Sequence, residues 1–218
     1  MKKHFTKTTW ILLILCIISF IGHIFVYPML PDVIPIQWST GGEVSNWGQK
    51  YMDLVLAALP IIILFLMVFL PEIDPRKENY KKHIHVYLLF TIGVTLLLIA
   101  CSWLSVLAAL GYNVNIHTLL PVAIGIMFIA FGNRIPQVRS NYFFGIKTPW
   151  TLANEDVWRK THKMGGILFC IMGILFVIGA LIDNSHFIEF VLVPFLLGSI
   201  IFLYVYSYLV FRKIVLGK

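Results

Sequence analysis

Six long apolar blocks limit what this chain can fold into. They run near Thr9–Leu30, Met52–Leu70, His85–Leu110, Ile116–Gly132, Gly165–Ile182 and Phe187–Phe211. A helix needs roughly 17–25 apolar residues to cross the hydrocarbon of a bilayer, and each block approaches or exceeds that length. The apolar residues come in blocks rather than amphipathic stripes, which suits lipid as the solvent. Composition agrees: 59% of the residues are hydrophobic and 12% are charged, against about 25% charged in ordinary soluble domains. The sequence predicts an all-α polytopic membrane protein of six transmembrane helices. Lys2, Lys3 and Lys7 precede an apolar run as in a signal peptide. The run Trp10–Val26 exceeds the usual h-region of about 7–15 residues, however, and no A-x-A cleavage site follows, so it reads as a retained first helix.

Sorting the cations by loop sets the orientation. Lys2, Lys3 and Lys7 lie at the N-terminus, and Arg76, Lys77, Lys81 and Lys82 in the second loop. Arg134, Arg139, Lys147, Arg159, Lys160 and Lys163 lie in the fourth loop, and Arg212, Lys213 and Lys218 at the C-terminus. With six crossings these sixteen cations share one side and Lys50 alone lies on the other. Loops rich in Lys and Arg stay in the cytoplasm, so both termini are expected inside (N-in/C-in). Asp32, Glu43, Asp53, Asp183 and Glu189 leave the outer face net negative. The formal charge of +7 follows from this asymmetry and does not signal direct nucleic-acid binding.

The blocks themselves carry little chemistry. Cys16, Cys101 and Cys170 lie in separate blocks without a CxxC pair and read as small packing residues. Pro60 and Pro194 are expected to kink helices two and six. Cys101, Ser105 and Ala109 repeat at four-residue spacing as a small-residue face. Trp10, Tyr27, Trp38, Trp47, Trp103, Tyr112 and Tyr208 fall towards interfaces, as belt residues do. No ionisable group sits near a helix centre. His23, late in the first helix, is the nearest, and reads first as a hydrogen-bonded structural residue. His83 and His85 flank the start of helix three. No HExxH, GxSxG or P-loop is present, and no metal or cofactor is expected.

Two loops hold the remaining information. The outer loop, residues 28–50, carries turn-forming Pro28, Pro31, Pro35 and Gly41-Gly42, yet keeps Val33, Ile34, Ile36 and Trp38. Disordered loops lack such residues, so an ordered cap is expected, either a structural lid or a surface for an external ligand. Asp32 and Glu43 would favour a cationic or amphipathic ligand. The cytoplasmic loop, residues 133–164, contains Tyr142, Phe143, Phe144 and Trp150 among Arg139, Lys147, Arg159 and Lys160. This interleaving suits either anchoring at anionic headgroups or docking of a cytosolic protein. Asn154 is a plausible N-cap of a cytoplasmic interfacial helix with Glu155 and Asp156 in its first turn. Pairs Glu155–Arg159 and Asp156–Lys160 are expected along it. Gly165-Gly166 would hinge it into helix five.

The segment Asn141–Trp158, with Gly145-Ile-Lys147-Thr148-Pro149-Trp150-Thr-Leu and Glu155, resembles the signature of the SdpI family, and Gly132-Asn133-Arg-Ile-Pro136 fits the same pattern. The outer-loop string Leu30-Pro-Asp32-Val-Ile-Pro35, then Gln37-Trp38, Gly42 and Trp47-Gly-Gln-Lys50, resembles the domain of unknown function DUF1648 that often precedes it. The resemblance implies residues 1–70 as a DUF1648-like helical hairpin and residues 85–213 as an SdpI-like four-helix membrane region. It implies a bacterial cytoplasmic-membrane protein that gives immunity to a secreted killing peptide, the sporulation-delay toxin. It also implies a receptor that holds an ArsR-type autorepressor at the membrane. On this reading Asp32, Pro35, Trp38, Glu43 and Trp47 would face toxin. Asn133, Asn141, Gly145, Lys147, Thr148, Pro149, Trp150, Glu155 and Trp158 would form the cytoplasmic docking signature. A small-solute or peptide transporter is the alternative, with His23, Ser19, Ser102 and Ser105 as polar material. A membrane enzyme using Asp32, Glu43 or His162 ranks third, and no enzyme activity is expected.

Overall fold

Each of the six blocks becomes a helix long and apolar enough to cross a membrane in the computed structural model, which describes residues 6–182, 185–215 and 217. Lys2, Lys3, Asp183 and Lys218 lie outside the described residues. The first helix, α1 (Lys7–Val26), starts where Thr6 Oγ1 accepts the Thr9 N–H at 3.2 Å. Strands β1 (Val33–Trp38) and β2 (Val44–Gln49) follow, then α2 (Met52–Ile73), the short α3 (Glu78–Lys82) and α4 (Ile84–Ala109). The chain continues through α5 (Ile116–Arg134), the short α6 (Pro149–Ala153) and α7 (Glu155–Ile182). It ends in α8 (Ser185–Phe187) and α9 (Val193–Val215). A π-helical turn, Ile188–Leu192, sits just before Pro194 at the start of α9, where proline removes an N–H from the ladder.

Three sequence expectations need correction. The all-α expectation holds for the spans but misses the antiparallel β1–β2 hairpin. Its register runs Val33↔Gln49, Ile34↔Gly48 and Pro35↔Trp47, with irregular pairing beyond. Gly42, at φ 80°, makes the turn. The expected hinge at Gly165-Gly166 is absent, because α7 runs unbroken from Glu155 to Ile182 and includes the supposed separate interfacial helix. The paired charges also differ: Arg159 meets Asp156 at 2.8 Å, one turn back, on the exposed face.

Two compact units form. The first comprises Met1–Phe69 with Thr91–Leu120, the second Leu70–Phe90 with Pro121–Lys218. In the first, Leu12 and Cys16 of α1 pack on Leu64 of α2. Leu30 and Ile34 pack on Val106 of α4, which seats the hairpin on that helix. The Ser105 hydroxyl donates to the Pro35 carbonyl at 2.5 Å and fixes the seat.

In the second unit, Val86, Ile135, Val138 and Trp158 form the core. Here α5 and α7 touch backbone to backbone. A methyl added at Gly125 would lie 2.6 Å from the Gly173 carbonyl oxygen, and one at Gly132 would lie 2.7 Å from that of Gly166. Glycines at these points let the helices approach closely, and this contact is what Gly166 serves in place of a hinge. The last span, Ile188–Val215, is the least covered, with 11% of its apolar window buried.

Candidate functional site

The first unit buries a polar cluster in which His23, Ser19 and Ser102, singled out in the sequence as polar material, meet Asp53 and Trp103, which were not. His23 lies in the last turn of α1 and Asp53 in the first turn of α2. His23 Nδ1 is 2.8 Å from Asp53 Oδ1, and both side chains have 0% exposure. His23 Nε2 is 3.2 Å from Ser102 Oγ of α4. The Trp103 ring lies on the imidazole with centroids 4.5 Å apart, and its indole N–H donates to Ser19 at 2.8 Å. The second carboxylate oxygen, Asp53 Oδ2, is buried without a hydrogen-bond partner among the described residues. His23 is therefore hydrogen-bonded, as expected, but it is not alone. Asp53 is withdrawn from the surface charge assigned to it, and Trp103 is more than a belt residue. The signal that could have found the pair is positional. A His one turn before the end of a span and an acid one turn into the next are brought level when the two spans run antiparallel.

The order Asp53–His23–Ser102 matches an acid–base–nucleophile relay, but the hydrogen-bond count argues against that use. The Ser102 hydroxyl donates to the Ile99 carbonyl at 2.8 Å, so its proton is not aimed at His23. Ser102 is 2% exposed, which leaves no approach for a substrate. The cluster ties three helices together. Ionisable side chains inside spanning segments usually pair with one another, as His23 and Asp53 do. Among the described residues, no group of three or more His, Cys, Asp or Glu side chains is placed to hold a metal.

The hairpin presents only part of the expected outward set. Asp32, Glu43 and Trp47 are exposed, Trp47 by 57%, and Trp38 is half-buried. Pro35 is buried and its carbonyl is occupied by Ser105, so it acts as an anchor for the hairpin and offers no surface. Lys50 lies 4.9 Å over the Tyr27 ring.

In the second unit the signature segment is held by one buried amide. Asn141 donates through Nδ2 to the carbonyls of Arg139 (2.9 Å) and Phe144 (2.8 Å). Its Oδ1 accepts the N–H groups of Phe143 (3.0 Å) and Phe144 (2.6 Å) and meets the Tyr80 hydroxyl at 3.0 Å. That hydroxyl also reaches Asp74 Oδ2, which accepts the Tyr142 N–H. Arg76 closes the ring by donating to Ser140 Oγ and the Leu152 carbonyl. Burial next to Asp74 pushes the Tyr80 hydroxyl far up from its ordinary value, so it stays protonated as this network needs.

The other signature residues have separable tasks. Gly145 has φ +117°, and an added methyl would strike His162 and Trp158. His162 accepts the Ile146 N–H through Nε2 (3.0 Å) and donates through Nδ1 to the Trp158 carbonyl (2.9 Å), so both ring nitrogens are committed to structure. Thr148 caps α6 in a capping box with Thr151, with Pro149 at its first position. Thr148 Oγ1 also meets Ser207 Oγ of α9 at 2.9 Å. Trp150 packs on Tyr204 and Tyr208, each with ring centroids 5.0 Å away. Trp158 is buried and donates to the Val138 carbonyl at 2.8 Å. Lys147 and Glu155 are exposed. Asn133 is exposed at the end of α5, outside this network. Asn154 is the N-cap expected, accepting from Asp156 and Val157 N–H. Sequence reading missed Asp74, Arg76 and Tyr80, which precede the signature by about one helix hairpin and brace it.

Known proteins give a consistent comparison. Residues 137–207 match the model of the SdpI/YfhL protein family, and residues 14–64 match that of a domain of unknown function, DUF1648. Immunity protein SdpI of Bacillus subtilis (strain 168) is 27% identical over 195 residues, which covers 89% of this chain and 92% of that protein. No solved structure matches the chain.

Proposed function

The chain belongs to the SdpI/YfhL protein family, and on that premise we propose that it is a bacterial cytoplasmic-membrane immunity protein against a secreted killing peptide. The observation that carries this reading is the near end-to-end likeness to an immunity protein. The ordered hairpin supports it: exposed Asp32, Glu43 and Trp47 offer acidic and aromatic contacts to a cationic or amphipathic peptide. With N-in/C-in orientation, argued from the sixteen cations, the hairpin faces outward and the braced Asn141–Trp158 segment faces the cytoplasm. Exposed Lys147 and Glu155, with half-buried Trp150, then present a surface to an ArsR-type repressor.

The test is survival. The full chain is expressed in a sensitive bacterium lacking its own immunity gene, and viable cells are counted after exposure to purified sporulation-delay peptide. Protection that is lost in a Trp47→Ala, Glu43→Gln variant supports the reading. No protection, with the protein shown to be in the membrane, refutes it for this peptide.

One observation favours a second reading, a solute or peptide transporter. His23, Ser102, Ser19 and Trp103 form a buried polar cluster with Asp53, and ionisable groups in spans often mark transport paths. Transport activity lost on His23→Ala at normal protein levels would decide for it.

A further inference from the structure

The second unit holds a polar cavity of roughly 670 Å³, and of its lining the immunity reading uses Glu155 but none of the cations. Its walls come from α3, from residues 136–140 and from the first turns of α7. Two of these walls adjoin the ends of apolar spans, since α3 directly precedes Ile84–Ala109 and residues 136–140 directly follow Ile116–Arg134, and the third is the polar start of α7 ahead of its apolar block at Gly165. Where apolar spans end, the lipid headgroups begin. The cavity therefore sits at the depth of the phosphates.

Its charges are suited to that depth. Lys82, Arg139 and Arg159 line it, with Glu155 and Asp156 as the acids. Arg159 is engaged by Asp156 at 2.8 Å. No carboxylate lies within ion-pairing distance of Lys82 or Arg139 among the described residues, and both are exposed. The walls between them are fixed. Asn79 donates to the Ser140 carbonyl at 2.7 Å, Arg76 holds Ser140 Oγ, and the Trp158 indole holds the Val138 carbonyl. The Arg139 N–H donates to His83 Nδ1 at 3.2 Å, which sets the backbone from which its guanidinium springs. Two uncommitted cations on a rigid polar frame make a preformed receptor for a phosphodiester.

We propose that this cavity binds the phosphate of an anionic phospholipid headgroup through Lys82 and Arg139. The same chemistry would accept a free phosphate, and the membrane depth favours the lipid. The purified full chain in detergent is titrated with phosphatidylglycerol, and bound lipid is read by native mass spectrometry. Lys82→Gln with Arg139→Gln should weaken binding about thirtyfold, each near-surface cation contributing about fivefold. Lys81→Gln, a neighbour paired with Glu78 on the exposed face, should leave it unchanged. Thermal melting of both variants checks that they fold. Equal binding by the double variant and the parent, or equal loss in Lys81→Gln, overturns the proposal and leaves the cavity to a protein partner. Displacement of the lipid by millimolar inorganic phosphate also overturns it and assigns the site to a soluble anion.

Discussion

Replacing His23 with leucine would leave the Asp53 carboxyl sealed in protein with nothing to meet. Among the described residues Oδ2 has no hydrogen-bond partner, and Oδ1 meets the imidazole. Removing one partner from a buried carboxyl costs about 3–5 kcal/mol, because the survivor keeps its desolvation penalty. For a chain of this size about 1 kcal/mol moves the melting midpoint by roughly 2–4 °C, so the fall should be roughly 6–20 °C. Asp53→Val should cost a similar amount by stranding His23 Nδ1. The decisive variant carries both changes. With no polar group left unpaired, it should melt above either single variant, since apolar replacements of buried pairs are often tolerated. The assay is thermal unfolding in detergent followed by intrinsic fluorescence, with the Trp103 ring 4.5 Å from His23 as a local reporter. Single variants that shift the midpoint by less than about 2 °C, or a double variant whose loss equals the sum of the singles, would refute the reasoning, since contacting residues must couple.

Four further outcomes follow from the second unit. Gly125→Ala drives a methyl to 2.6 Å from the Gly173 carbonyl oxygen and should cost about 1–3 kcal/mol by overpacking. Gly198→Ala meets nothing within 4 Å and should raise the midpoint through the helix preference of alanine, by up to about 1 kcal/mol. Asn141→Ala strips partners from the N–H groups of Phe143 and Phe144 and should cost about 1–3 kcal/mol, read as faster limited proteolysis within residues 139–148. Burial, reinforced by the Arg139 charge, lowers the His83 pKa from 6.5 to about 4. A depressed value means the fold prefers neutral His83, so its contribution is present above pH 6.5 and lost as pH falls towards 4. The melting midpoint should drop across that window, and more shallowly in His83→Phe.

The spans were legible because length and composition alone decide them: the blocks at Met52, Ile116 and Ile182 match helix ends to the residue. The Asn154 cap was legible for the same local reason. The His23–Asp53 pair was not, since its members are 30 residues apart and Asp53 follows Lys50 in what reads as a charged loop. The hairpin was hidden by its prolines. Pro35 breaks the strand pattern, yet at this position only its carbonyl is asked for, by Ser105. Gly165-Gly166 misled because glycine marks both hinges and close helix contacts, and only the facing Gly132 tells them apart. In the signature, the residue types were visible but not their division of labour. Asn141, Thr148 and Trp158 are buried in the frame, while Lys147 and Glu155 are left to solvent.

The thinly covered last span has a consequence for biogenesis. α9 leaves the ribosome after the other described helices, and protein covers little of its apolar length. Its polar hold on α6 is Thr148 on Ser207, with Trp150 wedged against Tyr204 and Tyr208. The short helix Pro149–Ala153 therefore adds a polar and aromatic contact to the packing of α9 on α7. A chain without these contacts would hold α9 by its packing on α7 and the turn before it.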